Sequence, residues 1–175
     1  MKRHFFLCFA VIGYLLGLVA VQWAIAVAAG WGIARLGATT ADAIQAHRPR
    51  LPHDPELREI HFGDWELKSF REIEATDPER IRAYWETPGD VRPPGGESWH
   101  DTAARVNRAI DRLIAAHCGR NIVVVAHFGM ILTQIQRADN LTAAQAFSHR
   151  IDNLSVTTIA IRPDGWALGH VNHNP

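Results

Sequence analysis

The chain has only two cysteines in 175 residues, Cys8 and Cys118, too few for a disulfide framework and not in any zinc-binding spacing. Neither sign of charge is in excess. Eighteen Lys and Arg balance eighteen Asp and Glu, so no basic face invites nucleic acid. Between Phe5 and Ala29 there is no charged residue at all, and only Gln22 is strongly polar. Repeats and low-complexity tracts are absent from the rest. The remaining composition is ordinary globular, and the length suits one domain with a sizeable core.

The uncharged stretch follows a short basic start, Met1-Lys2-Arg3-His4. Residues 5–29 are long enough to span a bilayer, and the positive-inside rule then leaves the N terminus in the cytoplasm with Trp31 onward outside. Ala26-Val27-Ala28 also offers a small-residue cleavage pattern of the secretory kind. A third reading is a disturbed first strand or reading frame. The division expected is therefore an apolar leader over 1–33, either a transmembrane helix or a disturbed strand, and a domain over 34–175. The protein is a single-pass membrane protein if that N terminus is genuine, and cytoplasmic otherwise.

From Trp31 the pattern alternates between helix and strand. Thr39 to Ala46 reads as a helix, broken by His47-Arg48-Pro49-Arg50-Leu51-Pro52. Leu57 to Ile60 is a short strand candidate. Ser69 to Thr76 and Pro78 to Glu86 are short helices, the second with proline in its first turn. After the Pro93-Pro94-Gly95-Gly96 loop, Ser98 caps a long helix through about His117, with Asp101 as capping-box partner. Its apolar stripe is Ala103, Val106, Ile110, Leu113 and Ile114. A strand to Ala126, a helix from about Met130 to Arg137, a short helix from Thr142, and strands Ser155 to Ile161 and Ala167 to Val171 complete the order. Pro163-Asp164-Gly165 joins the last two. This is an α/β layout.

Asn121 to Ala126 is apolar without alternation and runs into His127-Phe128-Gly129. Such a run reads as a central parallel strand covered on both faces. Ligands in open α/β sheets bind beyond the carboxyl ends of such strands, where the next helix offers free N–H groups. His127 sits at that edge, and Gly129 permits close backbone approach.

Four segments carry a resemblance: Leu57-Arg58-Glu59-Ile60-His61-Phe62-Gly63-Asp64-Trp65-Glu66, Pro94-Gly95-Gly96-Glu97-Ser98, Val124-Val125-Ala126-His127-Phe128-Gly129, and Asn153-Leu154-Ser155-Val156-Thr157. In that order and spacing the chain resembles the histidine phosphatase superfamily, the phosphoglycerate-mutase-like proteins, over roughly residues 35 to 175. The branch it looks most like includes α-ribazole phosphatase and related small-molecule phosphatases. The resemblance implies a three-layer α/β/α domain, here with an incomplete N-terminal part and an apolar leader. It implies a metal-independent phosphomonoesterase acting on a small phosphorylated metabolite, with no cofactor. The chemistry is a histidine nucleophile, a pocket of arginines and a second histidine on the phosphoryl oxygens, and a carboxylic acid on the leaving oxygen. Carried over by motif, the catalytic residues are Glu59, as the acid, and His127, as the second histidine that also binds phosphate. Asp64 and Glu66 read as surface or loop-structuring groups, and His170 and His173 lack a third partner for a metal.

Two departures accompany the resemblance. The Arg-His-Gly run that carries the nucleophile at the end of the first strand is missing. Arg3-His4 precedes the apolar stretch instead of following a strand, and if Phe5-Phe6-Leu7 is the first strand, Cys8-Phe9-Ala10 occupies the nucleophile's place. The family's phosphate-binding arginine ahead of the Thr40-Ala41 pair falls on Leu36, leaving Arg35, one residue off, as the candidate phosphate ligand. Expected, then, is an impaired phosphatase, or a membrane-anchored pseudophosphatase that binds a phosphorylated ligand or partner without turning it over.

Overall fold

An uncharged run of aromatic and aliphatic residues can satisfy its backbone as a helix in lipid or as a strand inside a sheet. In the computed structural model, which describes residues 5–11, 40–45 and 47–175, Phe5–Val11 is a strand, β1. It pairs in parallel with β2 (Ile122–Ala126) and antiparallel with β3 (Val156–Arg162). The expectation of one membrane-spanning helix over 5–29 is corrected here, because β1 makes its hydrogen bonds to strands on both sides and not within itself. The remainder of that stretch lies outside the described residues. Among the described residues no helix is long and apolar enough to cross a membrane, and the anchor expected through 5–29 has none among them.

Strand β4 (Gly165–Leu168) pairs with β3 and completes the order β2-β1-β3-β4. Among the described strands only β1 and β2 run parallel, so the parallel sheet expected is a mixed one. The β3–β4 connection is Pro163-Asp164, with Gly165 at φ 136°, and β4 begins two residues before the Ala167 expected. Ala10 pairs with Val156 and Val11 with Ala126. The carboxyl ends of β1 and β2 and the entry to β3 therefore share one edge of the sheet.

Helix α1 covers 40–45 and is followed by α2 (Phe70–Glu74), α3 (Pro78–Glu86), α4 (Trp99–Ala116), α5 (Phe128–Ala138) and α6 (Ala143–Phe147). Three of them start with a complete capping box. Ser69, Ser98 and Thr142 accept the amide three residues on, and the side chains of Glu72, Asp101 and Gln145 accept in return. Val106 and Ile110 of α4 pack with Met130, Ile131 and Ile135 of α5 against Ile122, Val124 and Ala126. The buried face of α4 also takes in Thr102, Arg105 and Ala109, whereas Ala103 is only half-buried.

Two expectations change. On β2 Ile122, Val124 and Ala126 are buried while Val123, on the opposite face, is 44% exposed, where cover on both faces was expected; among the described strands β2 is also an edge. Leu57 to Ile60 is not a strand. Pro55–Leu57 is a single 3₁₀ turn capped by Asp54, and the chain then runs extended without a strand partner. A second core of Trp65, Ile73, Ile81 and Tyr84 holds the loop that follows, with Tyr84 edge-on to Trp65 at 5.6 Å between centroids.

Candidate active site

The turn from β2 into α5 starts the site. His127 is the N-cap of α5, with extended backbone (φ −98°, ψ 168°) and no capping bond from its side chain. The first amides of α5 therefore need another acceptor. Glu59 supplies it: the Gly129 amide donates to its Oε2 at 3.4 Å and the Ile60 amide to its Oε1 at 2.9 Å. A carboxylate there also meets the positive end of the helix dipole. Gly129 is required by this approach. A Cβ on it would lie 2.6 Å from Glu59 Oε1 and 2.8 Å from Ile60 Cδ1.

Burial pushes the Glu59 carboxyl above the usual range; the amides of Ile60 and Gly129 and the charge of Arg105 offset this in part, and Glu66 adds a smaller upward push. Burial alone pushes His127 down, so its imidazole is neutral at pH 7. The turn thus joins a carboxyl that holds its proton unusually well to an uncharged imidazole. The first can donate a proton and the second can hydrogen-bond an oxyanion.

What holds Glu59 in place was not visible in the sequence. Arg105, 5% exposed, reaches from α4 to the carbonyl oxygens of Glu56 (2.6 Å), Arg58 (3.1 Å) and Glu59 (3.4 Å). The same guanidinium forms a fork with Glu97, Nε to Oε1 at 2.8 Å and Nη2 to Oε2 at 2.7 Å. Glu97 also accepts from the His61 amide (3.1 Å) and from Arg58 (3.0 Å). Burial pushes the Glu97 carboxyl up, but Arg105, the His61 amide and the nearby charges outweigh it, and the group titrates below its usual range. The Pro-Gly-Gly-Glu loop is therefore more than a helix start. It is sewn to the Glu59 segment by Glu97 N–H to His61 O at 2.8 Å and Asp64 N–H to Pro94 O at 2.8 Å. Glu66 accepts the Phe62 amide at 2.9 Å, in keeping with a loop-structuring role.

Glu59 and His127 are the sequence candidates found at this turn. Arg35 and His4 lie outside the described residues. The rings of His170 and His173 stand 5.8 Å apart, and among the described residues no cluster of three His, Cys, Asp or Glu side chains could hold a metal. Strand β1, Phe-Phe-Leu-Cys-Phe-Ala-Val, brings no histidine or arginine to the shared edge. Cys8 lies in mid-strand, opposite Val123 and Thr158, and the strand ends at Val11, so Cys8-Phe9-Ala10 is not the strand terminus.

A mixed sheet flanked by helices, with an acid and a neutral imidazole at its carboxyl edge, defines an α/β protein equipped for acid–base work at that edge. The chain belongs to the histidine phosphatase superfamily (branch 1), whose pattern matches residues 34–174. It is 30% identical to the bifunctional protein Rv2228c of Mycobacterium tuberculosis over 154 residues, 88% of this chain and 42% of that protein. It is 34% identical to the adenosylcobalamin/alpha-ribazole phosphatase of Escherichia coli over 98 residues, 56% of this chain and 48% of that one. The chain thus spans less than half the length of these two relatives. Among solved structures, YhfR of Bacillus stearothermophilus superposes with a TM-score of 0.76 at 21% identity, covering 97% of this chain and 98% of that one, which shows the phosphoglycerate-mutase-like fold.

Proposed function

We propose that this domain is built for metal-independent hydrolysis of a small phosphomonoester, and that in the chain as it stands the reaction is impaired for want of a nucleophile. The observation that carries the reading is the Glu59 carboxyl, with its raised pKa, lodged on the Gly129 amide in the turn that begins with neutral His127. In the family's chemistry an imidazole nitrogen attacks phosphorus and the bond to the leaving oxygen breaks. Glu59 protonates that oxygen, and His127 hydrogen-bonds a phosphoryl oxygen. Water then attacks the phosphohistidine, gives a proton back to Glu59 and releases phosphate. The first step needs an imidazole at the end of β1, and Phe5–Val11 contains none. That same observation favours a second reading, a non-catalytic pseudophosphatase that retains a phosphorylated ligand.

The purified chain is expected to show little or no turnover of an aryl phosphate, since losing a covalent nucleophile costs on the order of several powers of ten in rate. Rebuilding the first strand with Arg-His-Gly at its end and the following loop and helix is expected to bring turnover back, and Glu59→Gln or His127→Ala in that rebuilt protein to remove most of it. Robust turnover by the unmodified chain that survives His4→Ala overturns the proposal. Binding of inorganic phosphate without turnover, before and after rebuilding, supports the pseudophosphatase reading instead.

A further inference from the structure

We infer that Arg105 and Glu97 form a positioning device for Glu59, a buried ionic clamp on the segment 56–61 that fixes where the acid's carboxyl lies against α5. The inference rests on the reading of Glu59 as the acid.

A buried arginine is tolerated only when its donors are matched. A guanidinium has five N–H donors in a rigid fork, and here five bonds leave it: two to the Glu97 carboxylate and three to the carbonyl oxygens of Glu56, Arg58 and Glu59. The segment 56–61 has no strand partner to take those carbonyls, so Arg105 does what a neighbouring strand would do. Glu97 completes the grip from the other side by accepting the His61 amide. The bonded positions thus fall on both sides of Glu59 and on Glu59 itself. The carboxyl is one side chain away from that fixed backbone, and its contact with Gly129 depends on where the backbone stands. The more exposed arginines of the same helix make a contrast: Arg108 and Arg112 pair with Glu56 and Asp54 through side chains alone, and grip no carbonyl of the segment.

Lysine cannot replace this grip, because a single ammonium lacks the fork. Arg105→Lys keeps the charge and tests the geometry; Glu97→Gln keeps the shape and weakens the pairing; Arg108→Ala is the control. Two readouts apply to the chain as it exists, hydrogen exchange at the Ile60 and Gly129 amides and the titration of the Glu59 side-chain carboxyl by carbon NMR, assigned with Glu59→Gln. Among the described residues the charges that act on that carboxyl are Arg105 and Glu66, and the carboxyl in turn acts on Tyr84; the Lys substitution leaves these charges in place. In Arg105→Lys and in Glu97→Gln the two amides are expected to exchange about tenfold faster, the scale of one lost bond to a charged group. The Glu59 titration should move down toward the ordinary carboxylate value as water enters. Arg108→Ala should change neither. Unaltered exchange and titration in folded Arg105→Lys overturn the inference, and so does loss of protection spread evenly over β2, α4 and α5 in both variants, which would make the pair a general stabiliser. Turnover enters neither readout, so failure of the phosphatase reading and failure of this one are separate results.

Discussion

Glu59 holds its proton because the fold surrounds it, and the fold bears the consequence. A carboxyl whose folded pKa lies above its unfolded one costs no stability at low pH, where both states are protonated. As pH rises through the ordinary carboxylate range the unfolded chain ionises first, and stability is lost until the folded group ionises too. The stability of Glu59→Gln relative to the parent is therefore expected to rise as pH climbs through and above the ordinary carboxylate range, from about pH 4 upward, read from urea midpoints at each pH. A stability difference that stays flat over that range counts against the raised pKa. His127 works the other way. With its folded pKa depressed, acidification through the ordinary imidazole range protonates the unfolded chain first and lowers stability. Gly129 limits Glu59 sterically, since its missing Cβ is the space that Glu59 Oε1 and Ile60 fill. Gly129→Ala is expected to destabilise by about 1–3 kcal/mol, the usual cost of overpacking, in denaturant melts. Its Glu59 carbon resonance should shift, because the carboxyl must withdraw from the α5 amide.

Helix α4 carries two kinds of polar anchor, and they differ in worth. Ser98 is fully buried, accepts the Asp101 amide at 3.1 Å and is answered by Asp101 accepting the Ser98 amide at 2.9 Å. Ser98→Ala is expected to cost about 1 kcal/mol in thermal or urea unfolding. Arg112→Ala, which removes an exposed pair with Asp54 and Glu56, is expected to cost less than about 1 kcal/mol and to lose even that in high salt. A larger effect at Arg112 than at Ser98 would reverse this order. The cap is a local device, and so it could be read from Ser98 and Asp101 alone. Thr142 and the Pro163-Asp164 turn were legible for the same reason. Arg105's grip on the backbone was not, because the carbonyls it bonds lie 46 to 49 residues away in the chain, at Glu59, Arg58 and Glu56. Within its helix it reads as one more solvated charge. The strand expected at Leu57 to Ile60 failed from the same cause: extended residues become a strand only if a neighbouring strand accepts them, and here an arginine does. Glu59, His127 and Gly129 could be named from motif; the bond from the Gly129 amide to the Glu59 carboxyl could not.

At the scale of the molecule, β1 decides how the edge of the sheet is composed. Its apolar sequence suits the centre of a sheet as well as the interior of a membrane, and composition alone could not choose between them. Pairing does, since Leu7 to Val11 match Ile122 to Ala126 residue by residue, and Phe5 to Ala10 match Ile161 to Val156. The missing Arg-His-Gly, by contrast, was readable from the start and concerns chemistry, not architecture. A strand without the motif still fills the place between β2 and β3.

That place has a consequence during synthesis. Strand β1 precedes the other described elements in the chain, yet both of its partners are encoded past residue 121. At translation rates of ~5–20 residues/s the nascent chain waits on the order of 10 s with an uncharged strand and no ladder to join. Such a strand is a template for pairing with other chains. Ribosome-bound chains arrested before residue 122 are expected to bind chaperone and to be cut by protease within β1, whereas chains extended past residue 162 by the length of the exit tunnel should be protected there. Protection of β1 in the shorter chains would mean that it finds shelter before its sheet exists.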